Sequence, residues 1–407
     1  MIKVPAVKKV IICLLLLYTI SLQAREPYHA LVTVNAMSAT VTAPNLVDFS
    51  NDLKTTALEV LLPTYTPVSP VSIDINLRGI DIATFFAANS TTLVVTSPQL
   101  ELNQTFTAAT RDDSIKLFKD FVRDGGRHHQ LLKAYARFSP IDPIAGNPNS
   151  LMAQMAQADY LLGHLSPLAG CDCGWNAQPI VHQFQAGVTA GRAFSRNFET
   201  TIVTQPLRYS YSPNLTWAFI IDAPLTYTRN GGASNLFGSI AFGFRYPITY
   251  DWSLTAIVRG GAGGSLDLCT AGSFVSTGID SVFNYKYRDF VFSLTNYAAY
   301  IFSTNLWLSG INFNYNLHNF VFKNGFSITS CNAYTFCNRL FNFSFSFIDT
   351  GFSRERLFMK HYDEVGISLI TNYVNPCLAY DCLILGFSYQ WGQKGYKGYL
   401  FNLAYQF

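Results

Sequence analysis

The sequence predicts a transmembrane antiparallel β-barrel of about 12 strands, preceded by a small mixed α/β N-terminal domain, on three grounds. The chain is apolar and aromatic: of 407 residues, 49% are hydrophobic, 15% aromatic and only 13% charged, against roughly 25% charged in soluble domains. Beyond its first two dozen residues it holds no run of about 18 apolar residues that could span a bilayer as a helix. Its C-terminal half instead alternates apolar and polar residues over long segments. In lipid, only a closed barrel satisfies its backbone without spanning helices.

Residues 1–24 have the layout of a secretory signal peptide. Lys3, Lys8 and Lys9 form a basic start, Val10 to Leu22 an apolar run, and Ala24 a cleavage point. About 13 apolar residues are too few to cross a membrane. The net charge of +3 is too weak to argue for nucleic acid. Eight cysteines in 407 residues do not make a disulfide scaffold.

The alternation is clearest near the end. Tyr399, Phe401, Leu403, Tyr405 and Phe407 fall on one face, and Leu400, Asn402, Ala404 and Gln406 on the other. Phe341, Phe343, Phe345 and Phe347 alternate with Asn342, Ser344 and Ser346. A period of two places successive side chains on opposite faces of a strand. Aromatic strand ends and segments of about ten residues or more fit lipid outside and water inside. Candidate strands run near 183–194, 198–211, 215–228, 236–249, 252–264, 271–287, 290–303, 306–317, 320–331, 338–351, 361–373, 382–392 and 397–407. That is one too many for an even-numbered barrel with both ends in the periplasm. Either the first segment or 306–317 is expected to be something else.

Residues 25–165 read as an exported domain, 166–182 as a linker and 183–407 as the barrel. Ala39–Thr42, Val71–Leu77 and Thr91–Thr105 suggest short strands. Ile115, Phe118 and Val122 recur at helical spacing, Gly125-Gly126 interrupts, and Leu131, Leu132, Ala134 and Tyr135 resume a second helix. A turn-rich link, SPIDPIAGNPNS, leads to a third helix over 150–164, capped by Asn149 or Ser150. A barrel of this size cannot enclose the whole segment, but a single helix fits. The helix over 150–164 is either a lumen occupant or an ordinary linker.

The pieces SPIDPIAGNPNSLMAQM (139–155), FIDTGF (347–352), YDEVGISL (362–369) and GYKGYLFNLAYQF (395–407) resemble a family of exported Gram-negative outer-membrane proteins. In that family a small domain precedes an autotransporter-like C-terminal β-barrel. The resemblance covers most of residues 70–407 and implies location in the outer membrane. It brings no activity and no site residues. The closing strand, with Phe401, Leu403, Tyr405 and Phe407, resembles the signal that such proteins present to the barrel-assembly machinery.

Export implies an oxidising compartment, so disulfides are the default for the cysteines. Cys331 with Cys337 and Cys377 with Cys382 each bracket an inter-strand loop. Cys171 and Cys173 are further disulfide candidates, with Cys269 a partner for one of them. A zinc site at Cys171-Asp172-Cys173 lacks ligands, since only His164 and His182 are near in sequence. In Lys360-His361-Tyr362-Asp363-Glu364, strand alternation lets His361 and Asp363 share a face, but no nucleophile accompanies them. Alternation turns Arg245, Arg259, Lys286 and Lys323 into the lumen with Asp222 and Asp280. Such charges either bias a pore towards anions or pair to fill it. Arg127, His128, His129, Lys133 and Arg137 read as a solvated helix face. The expected role is anchoring of the N-terminal domain at the envelope. A narrow channel plugged by the N-terminal segment is the alternative, and an outer-membrane hydrolase a distant third. No cofactor, metal or nucleic acid is expected. Membrane lipid and lipopolysaccharide are expected partners, with any host or envelope ligand unidentified.

Overall fold

The computed structural model describes residues 25–123, 125–164, 182–214, 217–331, 334–336, 339–373 and 382–406. Residues 1–24, Cys171, Cys173, Cys337, Cys377 and Phe407 lie outside them.

The N-terminal part is one antiparallel sheet with helices packed against it. Strands β1 (Tyr28–Val34) and β2 (Met37–Ala43) form a hairpin, followed by helices α1 (Leu46–Asp52) and α2 (Thr55–Leu61). Strands β3 (Val71–Leu77), β4 (Ile80–Phe86), β5 (Thr92–Ser97) and β6 (Leu102–Thr107) complete the order β2-β1-β3-β4-β5-β6. The single strand expected over Thr91–Thr105 is thus a hairpin. A 3₁₀ turn at Pro98–Leu100 closes it, where Glu101 takes a left-handed conformation. Alternation buries Ile80, Ile82 and Phe86 on one face. Helices α3 (Arg111–Arg123) and α4 (Gly125–Phe138) follow, the paired glycines being the first two residues of α4.

The C-terminal part is a closed antiparallel barrel of 12 strands. The first is β7 (His182–Ser195). The second and third are each split by a proline. Pro206 separates β8 (Phe198–Gln205) from β9 (Leu207–Asn214), and Pro224 separates β10 (Trp217–Asp222) from β11 (Leu225–Asn230). Proline has no N–H to give the ladder, so each strand is interrupted and resumes. Next come β12 (Ala233–Pro247), β13 (Trp252–Ser265), β14 (Thr270–Tyr287) and β15 (Phe290–Thr304).

The expected strand over 306–317 is not part of the wall. It forms a small hairpin of its own, β16 (Leu306–Leu308) with β17 (Ile311–Phe313), turned by left-handed Ser309 and Gly310. Removing it makes the count even. The wall continues through β18 (His318–Ser330), with the short β19 (Tyr334–Phe336) flanking β20 (Arg339–Arg354). It then runs through β21 (His361–Tyr373), β22 (Cys382–Gly392) and β23 (Lys397–Gln406), which pairs with β7 and closes the ring.

The outer wall is apolar: Phe219, Phe242, Val258, Ile279, Leu294, Phe322, Phe345, Ile367, Phe387 and Phe401 are all exposed on it. Exposed apolar side chains in such numbers around a closed ring mark a lipid-facing surface, and the chain is an outer-membrane β-barrel. Among the described residues no helix is long and apolar enough to cross a membrane.

Strand ends define two rims. His182 and Gln406 start and finish at one rim. The N-terminal part sits on the other: Arg25 N–H donates to Asn197 O at 3.0 Å and Leu46 N–H to Asp267 O at 3.1 Å. Lys133 pairs with Glu355 at 3.0 Å, and His129 Nδ1 hydrogen-bonds Asn314 O at 2.8 Å. His128 packs edge-on against Phe313. The α4 face expected to be solvated therefore lies partly on the barrel's loops. Lys133 and His129 meet polar loop groups there, while Arg127 stays exposed.

Candidate functional site in the barrel lumen

Ser139 to Ala153 are buried without interruption. The turn-rich link is thus no exposed connector; it fills the barrel mouth. A Pro- and Gly-containing segment can be buried only if its polar groups are met locally, and here they are. Asp142 Oδ2 accepts from Ala145 N–H at 3.0 Å, Asn147 Nδ2 donates to Asp142 O at 2.6 Å, and Ser150 Oγ donates to Asn147 O at 2.6 Å. Gly146 has a left-handed φ of +97°, and a Cβ there would strike the Ala136 backbone. The Gly146 carbonyl accepts from Met359 N–H at 2.8 Å.

Asp142 joins the segment to both neighbours. Tyr315 Oη donates to its Oδ1 at 3.0 Å, and Arg78, from the β3–β4 turn, lies 3.6 Å from that oxygen. Burial pushes the Asp142 carboxyl up to about 6, against the opposing pull of Arg78 and its hydrogen bonds.

From this plug, helix α5 (Leu151–His164) runs inside the barrel towards the rim where β7 begins. Met152 lies at Asn319, Gln157 at Lys323 and Tyr160 at Gly325, successive levels down β18. The two expected alternatives for this helix are resolved in favour of the lumen. Glycine is required at 325, where a side chain would collide with the Tyr160 hydroxyl. The expected boundary at 165/166 therefore does not separate what packs: Ser139–His164 belongs with the barrel interior.

A dry polar network holds α5. Arg259 Nε donates to Asp159 Oδ1 at 2.6 Å and Arg259 Nη2 to Asp222 Oδ2 at 2.7 Å. Ser276 Oγ and Tyr297 Oη donate to Asp159 Oδ2 at 3.1 and 2.9 Å. Arg208 Nε donates to Asp222 Oδ1 at 3.2 Å, and its Nη1 reaches the Leu161 carbonyl on the helix at 3.2 Å. Two arginines balance two aspartates, so the cluster is neutral. Buried ion pairs hold only when matched and hydrogen-bonded in this way, because desolvation costs each ion several kcal/mol.

The structure places the charges expected to line the lumen as follows. Arg245, Arg259, Lys323, Asp222 and Asp280 are buried inside. Lys323 Nζ donates to Gln157 Oε1 at 2.5 Å, and Asp280 packs against Gly163. Lys286 shares their alternation but is exposed, because it stands one residue from the end of β14. Asp159 and Arg208 were not anticipated. A signal for Asp159 was present: LMAQMAQADYLLGH is apolar on nearly every face and carries one acid, the pattern of a buried helix with a single polar anchor.

The cysteines and the terminal strand are placed as follows. Cys331 and Cys382 are each disulfide-bonded. Cys269 is exposed, its thiol donating to Leu266 O at 3.4 Å. Phe401, Leu403 and Tyr405 project outward on β23.

His361 and Asp363 do share a face, but it is the outer one. There Asp349 lies directly across from Asp363, and His361 Nε2 hydrogen-bonds Asp349 and lies 3.8 Å from Asp363 Oδ1. The three side chains could offer one ligand atom each to a metal ion. Equally, a protonated imidazole can bridge the two facing carboxylates, whose repulsion would otherwise be unopposed.

No protein-family model matches the chain, and no curated protein matches it. Among solved structures, the β-domain of the Bordetella autotransporter BrkA is similar over 56% of this chain and 99% of its own, at 10% identity and a TM-score of 0.42. The translocator domain of the autotransporter NalP from Neisseria meningitidis is similar over 63% and 97%, at 12% identity and a TM-score of 0.44. An outer-membrane channel from Pseudomonas putida F1 is similar over 58% and 98%, at 13% identity and a TM-score of 0.39.

Proposed function

We propose that the barrel is an occluded anchor that presents the N-terminal domain at the cell surface. The carrying observation is α5 inside the lumen, fixed by Asp159 to Arg259, with the domain on the rim opposite to His182 and Gln406. In bacterial barrels both strand termini face the periplasm, so the domain's rim is the outer one. A helix pinned by a matched ion network has no ready way to leave, which favours an anchor over a conduit.

Topology is tested by labelling intact cells with a membrane-impermeant maleimide in a Cys269→Ser background. Asp52→Cys, exposed on the domain, is expected to label. Thr249→Cys, exposed on the β12–β13 turn at the other rim, is expected to label only after permeabilisation. The reverse pattern would overturn the orientation.

A plugged channel is the second reading. It is favoured by the polar lumen wall, where Thr255, Ser276, Asn319 and Gln390 face inward. On that reading Asp159→Ala opens a steady conductance in planar bilayers; on ours the variant stays silent or fails to fold.

A further inference from the structure

The surface rim carries a group of cations that the anchor reading leaves without a task. Hairpin β7–β8 and hairpin β22–β23 are neighbours, because β23 pairs with β7 at the seam. Each presents a cation at its tip: Arg196 on the first and Lys394 on the second. Both converge on the ring of Phe358, a buried residue of the β20–β21 loop. Lys394 Nζ is 4.0 Å from the ring centroid and Arg196 Cζ 5.3 Å. The end of α4 adds Arg137, whose charge is felt at Lys394.

Phe358 is buried, and its N–H donates to the Ala136 carbonyl at 2.8 Å, which ties this point of the loop to the end of α4. Among the described residues no carboxylate pairs with Arg137, Arg196 or Lys394. The nearby Glu199 is engaged by Arg192 at 3.3 Å, and Glu355 by Lys133. Partial burial first, then Arg196 and Arg137, hold the Lys394 ammonium below its ordinary range. Two cations on one aromatic ring, with Arg137 close by over the neighbouring Phe138 ring at 4.8 Å, repel one another and leave room for an anion to complete the group.

The level of this group says which anion. On the outer wall below Lys394, Tyr389 and Trp391 stack at 5.7 Å, and Tyr389 meets Tyr399 at 5.1 Å. Such Tyr and Trp clusters sit at the headgroup level of a bilayer. Lys394 stands three positions beyond Trp391, at most about 10 Å of extended chain. We infer that Arg196, Lys394 and Arg137 form a site for a phosphorylated lipid headgroup of the surface leaflet. Guanidinium and ammonium groups supply the charge-assisted hydrogen bonds that phosphate oxygens accept.

The assignment to the surface leaflet rests on the orientation proposed above, but binding itself is read without it. The full chain, purified in a zwitterionic detergent, is titrated with a bis-phosphorylated glycolipid in mixed micelles, and in a second arm with inorganic pyrophosphate. The Arg196→Ala/Lys394→Ala double variant is compared with Arg288→Ala at the opposite rim. All are first shown to be folded by heat-dependent gel mobility. The expected result is a loss of glycolipid affinity of about ten-fold or more in the double variant and none in the control, with weak pyrophosphate binding. Equal pyrophosphate binding, lost in parallel, would replace the lipid with a soluble phosphate as ligand. Unchanged glycolipid affinity in a folded double variant overturns the site. Maleimide labelling separately decides the orientation, so the two failures are distinguishable.

Discussion

The barrel carries two acid–base clusters of similar composition on opposite faces of its wall. Inside, Asp159 and Asp222 meet Arg259 and Arg208; outside, Asp349 and Asp363 meet His361. The inner cluster is dry, charge-balanced and joined to a helix from another part of the chain. The outer one lies on two adjacent strands with its imidazole about half exposed, at 48%. The outer cluster lies level with Trp391, at the headgroup end of the wall where its charges stay hydrated, whereas the inner one is closed off from solvent. The same chemistry is therefore a structural clamp in one place and a minor surface feature in the other.

Breaking the inner cluster is the sharpest way to test that contrast. Asp159→Ala leaves Arg259 buried beside an empty position and is expected to destabilise the folded chain by about 3–5 kcal/mol, read from urea unfolding followed by tryptophan fluorescence. A loss under about 1 kcal/mol would mean that the helix is held by packing alone.

Next in size is the helix–wall contact. Gly325→Val places a branched side chain where the Tyr160 hydroxyl sits and should cost about 1–3 kcal/mol. Pairing it with Tyr160→Phe, which removes that hydroxyl, should recover part of the loss. An absence of recovery would show that the strain lies elsewhere.

The mouth segment gives a pH test. A raised Asp142 carboxyl favours the neutral form in the folded state, so its contribution is fully present below the unfolded value of about 3.9. It is lost as pH rises through about 6. Unfolding midpoints should fall over that window, and Asp142→Asn should flatten the fall. A variant with the same slope as the parent would assign the effect to another group.

The smallest effect belongs outside. His361→Ala is expected to change stability by about 1 kcal/mol or less. A loss comparable to that of Asp159→Ala would erase the distinction between the two faces.

The wall was legible in the sequence because alternation is local: each strand announces its own two faces, as Phe341 to Phe347 do. The surplus candidate strand is 306–317, where Phe313 and Tyr315 alternate with asparagines as a strand would. Phe313 sits in β17, while Tyr315 turns inward to donate to Asp142. That role depends on a residue 173 positions away, and no local pattern encodes it. The mouth plug was hidden for the opposite reason. Its Pro, Gly and Asn residues look like a solvated loop, yet its own Asp142 and Asn147 side chains satisfy the backbone and let it be buried.

Twelve strands and one threaded helix make an odd number of passages through the membrane plane. The N-terminal sheet and Gln406 thus stand at opposite rims. A folded six-stranded sheet cannot pass through a lumen that one helix fills. The molecule is then a mechanical interlock, a ring on an axle with a stopper at one end. Even with every ion pair in the lumen neutralised, the domain could be withdrawn only by unfolding it or opening the β7–β23 seam. Its retention at the rim is set by topology as well as by affinity.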